Sequence, residues 1–310
     1  MFSARVILDS IGPNNVRLTT FEVTIPRIVL AEFNTHRMFS RNSASSRAIP
    51  VEKMLKRVQD DPFIPSYWGK NQKGMQAEEE LSPEAQDIAR RKWRGAKENA
   101  RISAEELLEI GVHKQLTNRL IEPFMWHTIV FTATELENFY ALRANKMAQP
   151  EIRIPAEMLI AAFEESTPMR LEAGEWHLPF VTNYDLRRLA TGTWAWEGVA
   201  PLEPAKVDWP FWCKVSAARC ARVSYLTHEG KRDLSADIAR HDDLVSNGHM
   251  SPLEHPAMAL TTKQWKALAN AMAVEWIERR VPVGNFWGWH QYRKTIENEH
   301  NFRLIAKEKA

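Results

Sequence analysis

Residues 82–111 constrain the fold more than any other part of this sequence. Ser82 offers a side-chain oxygen to a helix N-terminus, Pro83 suits the first helical position, and Gly111 is a natural stop. Between them Ala85, Ile88, Trp93, Ala96, Ala100, Ala104 and Leu107 recur at helical spacing, which predicts one long helix with one packed face. A helix of that length needs a large surface to lie against. The opening of the chain supplies strands, at Val6 to Leu8 and in the alternating run Val16 to Val23, before Pro26 marks the change to a helix from about Arg27 to Thr35. Thr134 and Glu137 read as a capping box for a helix running to about Gln149, where Pro150 signals its end or a kink. Two more helices are expected from about Leu234 to Ser246 and from Lys263 to Arg279. Strands mixed with long helices predict an α+β fold, with a mixed or mostly antiparallel sheet flanked by those helices.

Composition narrows the function classes. The chain has 310 residues, 44% apolar and 26% charged, which is enough to bury a large core and excludes disordered and fibrous classes. A formal net charge of +2 is too small for a partner held mainly through bulk phosphate attraction, so no nucleic acid is expected, while a local basic site stays open. No apolar run reaches membrane-spanning length, and Met1 to Asp9 lacks a secretion pattern, so a cytoplasmic protein is expected. Cys213 and Cys220 fit neither a zinc knuckle nor a disulfide framework and read as reduced and structural. Twelve tryptophans favour deep packing or stacking on flat ligands. Dinucleotide, P-loop, hydrolase and zincin signatures are all missing. The irregular, Trp- and Pro-rich composition from Ala173 to Pro210 separates two parts of one domain, 1–165 and 211–310, with 166–210 as the connection.

Three segments carry groups suited to chemistry. Thr35 to Arg47 holds five hydroxyls, three guanidinium groups and an imidazole, a combination that suits a phosphate, although a solvated surface loop has the same composition. Asn247 to His255 follows a helix. A metal reading from His249, Glu254 and His255 matches no common zinc or iron spacing, so no metal is expected there. Leu136, Phe139, Tyr140 and Met147 define an inward face, and Arg143 falls in the same stripe. An inward guanidinium needs an anion or strong acceptors; snorkelling or a buried ion pair would also satisfy it.

Together these segments resemble the flavin-dependent thymidylate synthases. The stretch T-H-R-M-F-S-R-N-S-A-S-S-R-A from Thr35 resembles the family's R-H-R signature with its later Ser, Asn and Arg. Leu142-Arg143 through Ala148-Gln149-Pro150-Glu151-Ile152 resembles L-R-x-x-x-x-A-Q-x-E-I. Ala221 to Tyr225 resembles A-R-V-S-[FY], and Gly248 to His255 resembles G-H-x-[ST]-P-F-E-H. In the family these last two motifs come first, so the chain resembles a circularly permuted relative, which termini near each other at a surface would allow.

The resemblance implies reductive C5 methylation of dUMP to dTMP, with FAD as cofactor, methylenetetrahydrofolate and NADPH as co-substrates, and a homotetramer with shared active sites. It implies that Arg143 grips the pyrimidine and that Ser45 acts with it in catalysis. Ser45, Arg47 and Arg119 would bind the nucleotide, and His36, Arg37, Asn42, Asn138, His249, Ser251 and Glu254 would surround the flavin. Thr35, Ser43, Ala48 and Met147 depart from the family pattern at its Arg, Glu, Tyr and His. These departures keep open another pyrimidine nucleotide, a hydroxymethyl product, or a non-catalytic nucleotide-binding relative. Gln291 or Arg293, in the run Asn285 to Lys294 outside the common motifs, would replace the lost polar contacts.

Overall fold

The computed structural model describes residues 1–182, 185–186, 207–230, 232–275 and 284–299. Strands β1 (Ser3–Ile11) and β2 (Arg17–Pro26) form an antiparallel hairpin. The next two strands are β3 (Ser40–Ser43) and β4 (Trp126–Ala133); β4 pairs antiparallel with both β2 and β3. The short β5 (Met169–Arg170) joins β1 in parallel, giving the order β3-β4-β2-β1-β5. The expected α+β class with a mixed, mostly antiparallel sheet is therefore found. Part of the predicted polar loop, Ser40 to Ser43, is an edge strand whose backbone is fixed by pairing with β4.

The two faces of this sheet differ in chemistry. On one face Phe21, Val23, Ile25, Ile129 and Phe131 pack in one core with residues of α1 (Leu30–Asn34), α5 (Glu137–Arg143) and α6 (Pro150–Glu165). The rings of Phe21 and Phe131 stack there with centroids 5.0 Å apart. On the other face the register sets Thr20 opposite Thr132 and Thr24 opposite Thr128. A second, three-stranded sheet of β6 (Trp176–His177), β7 (Ala257–Ala259) and β8 (Trp289–Gln291) packs on that side, where Leu18 meets Ala257, Ala259 and Trp289. Gly288 turns the chain into β8 at φ +77°, and a Cβ there would lie 2.5 Å from Asn14 Nδ2. Asn14 instead donates to the Gly288 carbonyl at 2.7 Å, fastening this segment to the β1–β2 hairpin.

The long helix α3 (Pro83–Glu109) forms as predicted, with Ser82 Oγ accepting the Ala85 N–H. Trp93, Ala100 and Ala104 pack against α2 (Val51–Asp60) and the chain around α4 (Lys114–Leu120). Ile88 of the predicted stripe is 51% exposed, because the first turns of α3 run past the edge of this core. Beyond the first sheet come α7 (Trp209–Ala221), α8 (Leu234–Ser246) and α9 (Thr262–Glu275). The expected continuation of α9 over residues 276–279 lies outside the described residues. A buried charge cluster ties α7 to α8: Arg219 reaches Asp237 at 3.0 Å and Asp185 at 2.9 Å, and Arg222 reaches Asp237 at 2.6 Å. Cys213 and Cys220 are free and buried in α7.

Two expectations change. The helix predicted from Thr134 to Gln149 is only α5, ending at Arg143, and Pro150 starts α6 instead of stopping a helix. Asn145 bends the chain between them, its Nδ2 donating to Ala141 O and its Oδ1 accepting the Met147 N–H. Gln149 before the proline is extended, the conformation such a residue prefers. The capping box does not form, since Thr134 Oγ1 accepts the backbone N–H of Trp287 and Leu136 is the cap residue. Met147 consequently leaves the predicted inward face and is 70% exposed. The connection 166–210 includes β5 and β6; its residues 183–184 and 187–206 lie outside the described residues.

Candidate active site

The Ser45 to Ile49 turn is held from beneath. Asn118, buried on α4, donates through Nδ2 to the carbonyls of Ser46 and Ile49 at 2.7 and 3.0 Å. The Ser45 N–H donates to Ser224 O at 3.0 Å, which brings the A-R-V-S-Y segment against this loop. Two carbonyls and one amide are thereby satisfied inside the protein, and the Ser45 and Arg47 side chains stay at the rim of a cleft. That cleft, about 340 Å³, is lined by Arg27, Arg41, Arg47 and Arg119 with Asn42, Ser43, Ser45, Ser46 and Ser224. No carboxylate belongs to that lining, although Glu122 behind it pairs with Arg27 and Arg119.

The Gly248 to His255 turn reaches the same place from the other end of the chain. Ser251 Oγ accepts from Asn42 Nδ2 at 3.0 Å, joining the turn to β3. A second cleft, about 530 Å³, shares Asn42, Ser45, Arg47 and Ser224 with the first and adds Lys114, Tyr225, Arg240, His249 and Ser251, with one carboxylate, Asp243. The Nε of Arg240 is buried there without a hydrogen-bond partner. A third cleft, about 520 Å³, shares Ser251 and Arg41 with the others and contains Arg37, Glu254, Gln291, Arg293 and Lys294. These shared residues make the three clefts adjoining parts of one trough, with Asn42 lining two of them. Of the predicted residues, Arg37, Asn42, Ser45, Arg47, Arg119, His249, Ser251 and Glu254 line it.

Arg143, His36 and Asn138 are not in that lining. Arg143 Nε donates to His36 Nε2 at 3.0 Å and Nη2 to Thr35 Oγ1 at 3.3 Å. Burial, with Arg143 and Arg41 nearby, lowers the His36 pKa to about 4, so its imidazole is neutral and accepts. Both recorded partners of the Arg143 side chain are thus uncharged, and its positive charge is not cancelled. Asn138 is exposed on α5. Arg41 is tied down by Asn34 and by the carbonyls of His36 and Phe39.

The C-terminal segment does more than the sequence indicated. Arg293 Nη1 donates to Glu254 at 2.6 Å and Nε to Glu299 at 2.7 Å, while the Gln291 amide reaches Ser40 Oγ at 3.0 Å and Asn285 at 2.7 Å. Both therefore brace the motif turn and the edge strand as well as lining the trough. Among the described residues no His, Cys, Asp and Glu cluster could hold a metal ion. His249, Glu254 and His255 diverge: His249 lines the 530 Å³ cleft, Glu254 pairs with Arg293, and His255 turns inward. Tyr225, Arg240 and Lys114 were not singled out from the sequence; only the A-R-V-S-Y motif gave a signal, and that for Tyr225 alone.

The family model described as thymidylate synthase complementing protein matches residues 15–169. The chain belongs to that family. Among curated relatives, the flavin-dependent thymidylate synthase of Thermosipho africanus is 31% identical over 163 residues, and that of Thermosipho melanesiensis is 28% identical over the same length. The alignments cover 50% of this chain and 66% of each relative, just under two thirds. Among solved structures, a UMP/dUMP methylase from Streptomyces cacaoi bound with 5-Br UMP aligns at 17% identity and TM-score 0.44, over 53% of this chain and 89% of that one. A flavin-dependent thymidylate synthase from Helicobacter pylori complexed with FAD and dUMP aligns at 20% identity and TM-score 0.35, over 47% and 67%. Within this thymidylate synthase complementing family chain, the matched region carries the 35–47 loop, Arg119 and Arg143; the 221–225 and 248–255 segments and the C-terminal brace lie after it. No helix among the described residues is long and apolar enough to cross a membrane.

Proposed function

We propose that the protein is a cytoplasmic flavin-dependent thymidylate synthase that methylates C5 of dUMP, with methylenetetrahydrofolate as carbon donor, FAD as cofactor and NADPH as reductant. The observation that carries this reading is the trough, in which the 42–47 loop and the 249–251 turn, some two hundred residues apart, share one wall. Its donor set fits a flavin dinucleotide and a nucleotide. Guanidinium groups and hydroxyls suit phosphates, the buried, partnerless Nε of half-buried Arg240 calls for an acceptor, and half-exposed Tyr225 offers a flat wall. FAD when bound supplies the hydride that reduces the one-carbon adduct.

The residues of the chain have separable tasks. Ser45, Arg47 and Arg119 hold the nucleotide phosphate, while Asn42, His249, Ser251, Arg37 and Glu254 face the flavin. Arg143 stabilises negative charge developing on the pyrimidine, a task for which its neutral partners His36 and Thr35 leave it charged. Its position outside the lining fits a homotetramer in which one subunit's Arg143 and Asn138 reach the trough of the next. Both cysteine thiols are buried, which pushes their pKa values up and leaves neither as an attacking thiolate. The motif order supports reading the chain as one circularly permuted catalytic domain.

The test is the visible absorption spectrum of the purified protein with FAD, recorded while titrating with dUMP, followed by mass analysis of the product after full turnover. A flavin band that shifts with dUMP, and a dTMP product, are expected. A protein that retains no FAD and binds no dUMP overturns the reading. UMP is run in parallel because Thr35, which replaces a family arginine, contacts Arg143 through a neutral hydroxyl. A methylated UMP or a hydroxymethyl product would identify a redirected pocket.

A further inference from the structure

The polar face of the main sheet contains a hydrogen-bonded row that ends at Asn42. Starting from the closed end, Ser10 Oγ meets His177 Nδ1 at 2.8 Å, and His177 Nε2 meets Thr20 Oγ1 at 2.8 Å. Thr20 Oγ1 meets Thr132 Oγ1 at 2.7 Å, and Thr132 Oγ1 meets His255 Nδ1 at 2.8 Å. His255 Nε2 meets Asn42 Oδ1 at 2.8 Å, and Asn42 Nδ2 meets Ser251 Oγ at 3.0 Å in the trough. Ser10, Thr20, Thr132, His177 and His255 are all fully buried, so none of them faces bulk solvent.

That burial fixes the direction of every bond. The Ser10 hydroxyl has His177 Nδ1 as its recorded side-chain partner, so its hydrogen must go there or be left unpaired. His177 then carries its proton on Nε2 and donates to Thr20. Thr20, already accepting, gives its one hydrogen to Thr132, and Thr132 gives its own to His255 Nδ1. His255 is left with its proton on Nε2 and donates to Asn42 Oδ1. The reversed row would need an acceptor for the Ser10 hydrogen at its buried end, whereas the exposed Ser251 end tolerates either direction.

We infer that His255 is a positioning residue whose tautomer, set by Thr132, Thr20, His177 and Ser10, holds the Asn42 amide with its carbonyl inward and its NH2 toward the trough. One Nδ2 hydrogen is engaged by Ser251 and the other is presented to the ligand. The site therefore selects an acceptor atom at this point, a ring nitrogen, carbonyl or phosphate oxygen, and disfavours a donor. An amide at the end of the row also keeps it from delivering protons to the trough, so the row orients and does not relay.

This inference rests on the proposed function only for the identity of the ligand, and the tests separate the two. Long-range proton–nitrogen NMR of the wild-type protein is expected to show Nε2-protonated tautomers at both His177 and His255; an Nδ1 proton on either overturns the inference whatever the protein binds. For binding, FAD and dUMP affinities are measured by calorimetry in variants. His255→Phe is expected to weaken FAD about tenfold or more, and His255→Gln, whose amide nitrogen can replace Nε2–H, to recover most of that loss. Asn42→Asp keeps an acceptor for His255 but offers no donor to the trough, and is expected to bind FAD as poorly as Asn42→Ala. Thr24→Val, which removes a Thr–Thr contact elsewhere on the same face, should change neither tautomers nor affinity. FAD affinity of Asn42→Asp equal to wild type overturns the inference. Wild-type protein that binds neither ligand overturns the proposed function and leaves the tautomer result to decide the row.

Discussion

Protonating the interior should unfold this protein along a route that one substitution can isolate. His177 is fully buried, and burial together with His255 lowers its pKa to about 3. In the unfolded chain it titrates near 6.5, so as pH falls the unfolded state takes up the proton first and the folded state loses stability, down to the folded value. Between about pH 7 and about pH 5 this amounts to about 2 kcal/mol, with about 0.7 kcal/mol of it gone by about pH 6. His36, His127 and His255 have pKa values lowered in the same direction, so the whole protein loses more than this. They remain in a His177→Gln variant and cancel in the comparison. Glu22 and Asp185, held below the usual carboxylate range by their partners, titrate below the window and cancel as well. Urea unfolding followed by tryptophan fluorescence at the three pH values measures both proteins. The variant, whatever its stability near neutrality, should lose about 2 kcal/mol less than wild type on going to about pH 5. Parallel losses would refute the reasoning, because they would mean that folded His177 accepts a proton as readily as the unfolded chain does.

Three further outcomes follow from the site and the core. Arg143→Ala should lower turnover by at least about a hundredfold, with the circular dichroism spectrum and oligomeric state kept; near-normal turnover would remove its assigned role. Arg47→Ala should weaken dUMP binding about tenfold or more in calorimetry, since a charge-assisted bond at the rim is lost. Asp237→Asn should cost about 3–5 kcal/mol in urea unfolding, because Arg219 and Arg222 would lose their common buried anion; a change near zero would show that the cluster is compensated from elsewhere.

The long helix, the first hairpin and the polar 35–47 loop were readable from the sequence because each rests on local rules: caps, alternation and composition. Strand β4 was not, since Trp126 to Ala133 is enclosed on both faces and shows no alternation to read. The break after Arg143 was hidden for a different reason. Leu136 to Met147 keeps helical spacing, and the bend depends on Asn145 bonding to its own neighbours, an option the spacing does not reveal. The motif loop and turn could be named separately, but their meeting at Asn42 and Ser251 is a tertiary fact. His255 and His177 illustrate the limit most clearly. One sat in a recognised motif and the other in a segment read as irregular, and only the cross-sheet register puts Thr20 and Thr132 between them.

The wall shared by Asn42 and Ser251 has a consequence for how the protein comes into being. A ribosome delivers the chain from its first residue onward, and the hairpin, β4 and the long helix can gather while the rest is still unmade. The trough cannot. The rest of that wall arrives with the 249–251 turn, and the brace that steadies that turn, Gln291 and Arg293, arrives some forty residues later. Contacts spanning such a separation are slow to close. A nascent chain cut short before that point would have the guanidinium groups of the 41–47 loop but only half of the wall, so incomplete copies are silent by construction.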